Sequence, residues 1–67
     1  MDRRVIADKV ERLRRCVQRI EHKRPPTLAA LAADVDLQDI LSVNLERAVQ
    51  LCVDIAAHII AWVLISD

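Results

Sequence analysis

The sequence predicts an all-α fold, in which two long helices fold back on each other as an antiparallel hairpin. Two observations predict it. Apolar residues recur at helical spacing in one long segment near the N-terminus and in a second that follows residue 36. Between these segments, Pro25-Pro26 interrupts the chain. Sixty-seven residues allow one small domain at most.

The first segment carries a heptad-like apolar seam with spacings 4-3-4-3 and with Arg, Lys and Glu on its other faces. The seam consists of Ile6, Val10, Leu13, Val17 and Ile20. It predicts a helix over about residues 2–23, with Asp2 as the N-cap and basic residues at the C-terminal end. Pro25-Pro26 ends this helix, because proline donates no backbone hydrogen bond and displaces the preceding residue from the helical region.

Residues 24–36 are predicted to form a connector, in which Thr27 caps a short helical turn over residues 28–32. Asp34 belongs to this connector, and Asp36 is the expected N-cap of the second long helix, with Asp39 in its first turn. That helix is predicted over about residues 37–65, a length of about 43 Å, whereas the first helix spans about 33 Å.

Because the first helix is the shorter, it cannot cover the whole apolar arc of the second. We expect residues 59–65 to stay bare, with Ile59, Trp62 and Val63 in an oligomer interface. The composition points the same way, since a chain this small usually needs disulfides, a metal or oligomerisation for stability. Its two cysteines, Cys16 and Cys52, lie on apolar faces and are expected to be reduced, as in a cytoplasmic protein.

Charge divides the chain into two unequal parts. Residues 1–24 contain nine Lys or Arg and four acids, a net charge of +5, and the remainder contains one Arg and six acids, a net charge of −5. Such asymmetry can attract RNA to the first segment. We favour a solvated helix face with i,i+4 ion pairs, such as Asp8 with Arg12 and Glu11 with Arg15, because no aromatic residues interleave with the arginines to stack bases.

The second helix also carries a narrow polar stripe, formed by Asn44, Arg47, Asp54 and His58. Three interpretations stay open. The stripe can be a polar network that fixes the register of packed helices, it can line an RNA cleft, or Asp54 and His58 at i,i+4 can supply half of a metal site. Two ligands are too few for a metal site, so we expect neither a metal nor a cofactor.

Nothing at the charged N-terminus indicates a signal peptide for export. The apolar run over residues 51–65 is interrupted by Asp54 and His58, and a bilayer takes about 20 apolar residues to span. We therefore expect a cytoplasmic protein with no membrane association.

Residues 44–60 read N-L-E-R-A-V-Q-L-C-V-D-I-A-A-H-I-I. This run resembles the second long helix of HepT-type toxins in the HEPN superfamily, whose pattern is roughly N-L-x-R-A-x-Q-x-x-x-D-I-A-x-H-I-I. The basic heptad helix after Asp2 and the Asp36-Leu37-Gln38-Asp39 segment fit the same family. The resemblance covers essentially all 67 residues, which it identifies as one truncated HEPN-like domain, half of an up-and-down helical bundle.

The resemblance implies a dimeric, metal-independent ribonuclease that acts as the toxin of a toxin–antitoxin pair, with an MNT-type nucleotidyltransferase as its partner. The family's catalytic motif, an arginine followed after four to six residues by a histidine and commonly a tyrosine, belongs to a later helix. This sequence has no tyrosine. Arg15 and His22 match the spacing but lie in the basic first helix, so we expect no catalytic residue in this chain.

The leading hypothesis is therefore the N-terminal half of a HepT-like ribonuclease toxin. In this hypothesis, the chain provides the fold and the dimer surface, and it is inactive as given. The alternative is a stand-alone helical interaction module without catalytic activity.

Overall fold

A computed structural model describes residues 2–65 of the protein, and these residues form three α-helices. They are α1 (Arg3–Lys23), α2 (Leu28–Ala32) and α3 (Val35–Ile65). No strand occurs in this part of the chain. The prediction of an all-α protein is confirmed.

The first helix, α1, begins at its expected cap. The carboxylate of Asp2 accepts hydrogen bonds from the backbone N–H groups of Arg4, at 2.9 Å, and Val5, at 3.3 Å, and these are two of the donors that have no partner within the helix. At the other end, Lys23 lies in the last turn, where its charge interacts favourably with the helix dipole. The helix ends before the Pro25-Pro26 pair, as the sequence predicts.

The second helix, α2, is a single capped turn, and it leads directly into α3. The hydroxyl of Thr27 accepts a hydrogen bond from the N–H of Ala30 at 3.1 Å. One residue after the turn that ends α2, the carboxylate of Asp34 accepts the N–H of Leu37 at 3.0 Å. Asp34 therefore caps α3, and the prediction of Asp36 as the cap is wrong. Because α2 ends at Ala32, the first free carboxylate after it is that of Asp34.

The third helix packs against α1 along one seam. The seam residues of α3 lie at spacings 4-3-4-3-4 and are all buried or half-buried: Leu37, Leu41, Asn44, Ala48, Leu51 and Ile55. They face the half-buried or buried residues of α1, which are Val5, Ile6, Lys9, Leu13, Cys16 and Ile20.

The contact face of α1 differs from the predicted heptad seam at two positions. Val10 and Val17 are 43% and 42% exposed, and Lys9 and Cys16 take their places beside α3. Two features of these side chains account for this rotation of α1. Cys16 is small enough to be enclosed between the helices, and Lys9 reaches a carboxylate on α3. Both valines are thus left on the flank of the helix pair.

The molecule is long and has almost no core. Its dimensions are 53 × 17 × 15 Å, and its radius of gyration is 15.7 Å, whereas a compact chain of this length has a radius near 11 Å. Only Cys16 and Asn44 are buried among residues 2–65. The accessible surface is 5450 Å², which exceeds by roughly 1,100 Å² the area expected for a compact monomer of this mass.

The C-terminal part of α3 is bare, as its length predicts. Every described residue after Ile55 is exposed, and Ile65 reaches 81%. By length and composition alone α3 could cross a membrane, but core helices of soluble proteins and signal sequences meet the same criteria. The expectation of no membrane association stays a prediction.

Candidate interaction surface

The predicted polar stripe is divided by the packing of α3 against α1. Asn44 lies within the seam, and its residue surface is only 6% exposed. Its side-chain Nδ2 donates to the backbone oxygen of Ile40 at 2.8 Å, while Oδ1 is buried and has no hydrogen-bond partner within the described part of the chain. A polar residue at such a position is known to fix helix register at a cost in stability.

Asp54 lies at the edge of the same interface and joins the two long helices. Its Oδ2 is 3.5 Å from the Nζ of Lys9 on α1, with side-chain exposures of 38% for Asp54 and 21% for Lys9. The other oxygen, Oδ1, accepts a hydrogen bond from the side chain of Gln50 at 3.0 Å. This contact fits the interpretation of the stripe as a polar network between packed helices. The sequence did not identify Lys9 as the partner, whose long apolar stem lets it lie against the seam.

The other two stripe residues do not take part in this contact. Arg47 and His58 are both exposed on α3. Within residues 2–65, neither side chain forms an ion pair. The structure therefore brings Asn44 and Asp54 against α1 and leaves Arg47 and His58 on the surface.

One side of the helix pair forms a groove lined with arginines. Its volume is about 340 Å³, and the lining residues include Arg12, Arg15, Arg19 and Arg47 together with Gln50 and Asp54. A second groove of about 600 Å³ shares Arg15 and Arg19 and adds His22, Ile40 and Asn44. Both Arg12 and Arg15 pair with acids of their own helix, Asp8 at 3.1 Å and Glu11 at 3.8 Å. Arg19 and Arg47 form no ion pair within residues 2–65, so the groove keeps positive charge on these two side chains.

A second seam on α3 is entirely uncovered, and the sequence alone did not distinguish it from the first. It follows the covered seam one residue later along the helix, and all its members are exposed: Leu45, Val49, Cys52, Ala56, Ile59 and Val63. Val53 and Ile60 border it and are exposed as well. The 4-3-4-3-4 spacing of these residues could have predicted the second seam from the sequence. The apolar arc of α3 is broad enough for two such seams, and a single neighbouring helix covers only one of them.

The proposed oligomer-interface residues Ile59, Trp62 and Val63 lie at the C-terminal end of this uncovered surface and are all exposed. Among residues 2–65, no group of three or more His, Cys, Asp or Glu side chains is arranged to hold a metal ion. Asp54 and His58 thus have no third ligand within the described residues. Both cysteines are free thiols, Cys16 buried and Cys52 exposed.

Comparisons with known proteins add no family assignment: no protein-family model matches this chain, and no curated protein or solved structure matches it significantly.

Proposed function

We propose that this chain supplies the fold and the dimerisation surface of a cytoplasmic, HepT-like ribonuclease toxin. In this proposal, α1 and α3 form an antiparallel hairpin that is half of a HEPN-like bundle. The N-terminal part of α1 lies beside the C-terminal half of α3 through Lys9 and Asp54, and the C-terminal part of α1 shares a groove with Ile40 and Asn44. These contacts support the antiparallel arrangement.

The observation that carries the proposal is the uncovered apolar surface of α3. Contiguous apolar surface of this extent marks a protein interface or a membrane contact. The resemblance of residues 44–60 to HepT-type toxins supports a protein interface, since that family dimerises. RNA as substrate of the intact protein and an MNT-type nucleotidyltransferase as antitoxin come from the same resemblance, and the arginine-lined groove supports an anionic partner.

We expect this chain to have no ribonuclease activity of its own. Cleavage of RNA needs a group that activates the 2′-hydroxyl and a cation that stabilises the phosphorane, and the family's motif for these roles has no match in a late helix here. Incubation with total RNA should leave the RNA intact. Cleavage that disappears in a His22→Ala variant would assign the activity to Arg15 and His22 and would contradict the proposal.

A stand-alone helical interaction module is the alternative, and the same uncovered surface of α3 supports it. The genomic reading frame after codon 67 distinguishes the two. A frame that continues into an Arg-x(4–6)-His segment supports the toxin, and an immediate stop codon supports the module. In both proposals the uncovered seam of α3 is a packing surface.

A further inference from the structure

We propose that the uncovered seam of α3 packs against the same seam of a second copy, with the two α3 helices antiparallel and centred between Cys52 and Ala56. The inference rests on the proposed assembly function and specifies its partner and register. It concerns the seam residues Leu45, Val49, Cys52, Ala56, Ile59 and Val63, all of which are exposed in the isolated chain.

The spacing of the seam indicates that its partner is a helix. Six apolar residues at spacings 4-3-4-3-4 form the contact line of a coiled-coil pair, in which each side chain enters a gap of the facing helix. A lipid surface does not require this periodicity. Moreover, α3 already uses the same spacing, one residue earlier, to pack against α1.

The excess of total accessible surface is large enough for one interface with a second copy. The chain exposes roughly 1,100 Å² more than a compact monomer of its mass, and a standard interface buries about 800 Å² of each partner. Charge also permits self-association, because the chain has a formal net charge of zero and its seam contains no charged residue. Two copies can therefore approach without net repulsion.

Within a second copy, α3 is a better partner for the seam than α1. The large apolar residues that α1 exposes are Val10 and Val17, and exposed arginines and glutamates surround them. Such a surface would leave most of the seam facing charged groups. The equivalent seam of the other α3 is apolar over its whole length of about 27 Å.

The side-chain sizes favour an antiparallel pair. With the centre between Cys52 and Ala56, Leu45 faces Val63 of the other copy, Val49 faces Ile59, and Cys52 faces Ala56, so each layer combines a larger with a smaller side chain. In a parallel pair, Ala56 would face Ala56 of the other copy, and these two small side chains would leave a gap. An antiparallel pair also opposes the helix dipoles, whereas a parallel pair aligns them.

Disulfide cross-linking tests this register. In a Cys16→Ala background, we add Ala56→Cys, and Ala57→Cys serves as the matched control because it lies one residue outside the seam. The proposed register places residue 56 opposite the native Cys52 of the other copy. Residues 52 and 56 would then lie at the same height along the pair, whereas two Cys52 residues would be offset by about 6 Å along the helix axis. With the lateral separation of the two helices added, that offset places the two Cys52 Cα atoms beyond the about 7 Å that a disulfide can span.

After mild oxidation, we expect the Ala56→Cys variant to become mainly a covalent dimer on a non-reducing gel, while the parent and the Ala57→Cys variant stay mainly monomeric on that gel. Circular dichroism checks that all three are equally helical. A Cys52–Cys52 dimer in the parent would overturn the antiparallel register. Non-covalent dimers by sedimentation with no cross-link in any variant would overturn the α3 pairing but leave the assembly proposal intact, and monomers at all concentrations would overturn both.

Discussion

Asn44 holds the most confined polar group in the described part of the chain. Its Nδ2 is satisfied by Ile40, one turn earlier on the same helix, but its Oδ1 is enclosed without a donor. A buried acceptor without a partner costs about 1–3 kcal/mol of stability. The neighbouring seam positions Leu41 and Ala48 are apolar, so Asn44 limits the register of α1 on α3 at the expense of stability.

Replacing Asn44 by leucine should therefore stabilise the protein. We expect Asn44→Leu to raise the free energy of unfolding by about 1 kcal/mol, because it removes the unpaired acceptor and extends the apolar seam. Urea unfolding at one fixed chain concentration measures this, since association contributes to the apparent stability. A loss of similar size would show that Oδ1 has a hydrogen-bond donor in the assembled protein.

The ion pair between Lys9 and Asp54 should contribute little to the free energy of unfolding. A fully buried pair would cost about 3–5 kcal/mol when one member is removed. Asp54 is 38% exposed and 3.5 Å from Lys9, however, which places the pair nearer to surface pairs worth at most about 1 kcal/mol.

We expect Asp54→Asn to lower the free energy of unfolding by less than about 1 kcal/mol. A double-mutant cycle with Lys9→Met isolates the interaction between the two charges. A coupling of several kcal/mol would show that association buries this pair, and the arginine-lined side of the molecule would then belong to an interface.

At the scale of the helices, the start of α3 depends on Asp34. Its side chain accepts a hydrogen bond from the N–H of Leu37. Its backbone oxygen accepts a hydrogen bond from the N–H of Gln38 at 3.0 Å. The side chain of Gln38 in turn donates to the backbone oxygen of Leu31 at 2.9 Å. The end of α2 and the start of α3 are thus joined by hydrogen bonds on both sides of Asp34.

Removal of this cap should destabilise the protein measurably. Asp34→Ala should cost about 1 kcal/mol, the usual value for an N-cap. Asp36→Ala is the matched control, and it should cost about 0.5 kcal/mol, since Asp36 interacts only with the helix dipole in the first turn. A larger loss from Asp36→Ala in thermal or urea unfolding would restore the original assignment of the cap.

The sequence predicted where the helices lie along the chain, but it did not predict which face of α1 contacts α3. Local signals located α1 and α2, because Asp2, Thr27 and Pro25-Pro26 act on the backbone next to them. The prediction of the α1 face that contacts α3 was wrong at Val10 and Val17, which are exposed. An apolar heptad pattern contains no information about the close packing of Cys16 or the ion pair of Lys9 with Asp54.

The candidate surface was predictable in the same limited sense. Helical periodicity located the polar stripe and the apolar arc of α3, but not which part of each meets α1. Asn44 and Asp54 lie against α1, whereas Arg47 and His58 are exposed. The stripe is wider than the part of α3 that contacts α1, so the edge of this contact divides it. The division of the apolar arc into a covered and an uncovered seam follows from the same packing.

At the scale of the whole molecule, the chain is an elongated pair of helices with one enclosed seam. The two residues that are buried within residues 2–65 cannot provide the core of a stable small domain. The uncovered seam gives α3 a second packing surface of the same spacing as the first. We therefore expect the protein to associate through the uncovered seam over residues 45–63 of α3 rather than through the arginine-lined side.

Sedimentation velocity over a wide concentration range tests this requirement most directly, with two matched variants. Val49 and Val43 are both exposed valines of α3, but only Val49 lies in the uncovered seam. We expect the wild type and Val43→Glu to sediment as dimers or larger species, and Val49→Glu to dissociate and lose helical structure on dilution, because its carboxylate would have to be buried without a partner. A wild-type chain that stays folded and monomeric at every concentration, or a Val49→Glu variant that associates as well as Val43→Glu, would contradict the account.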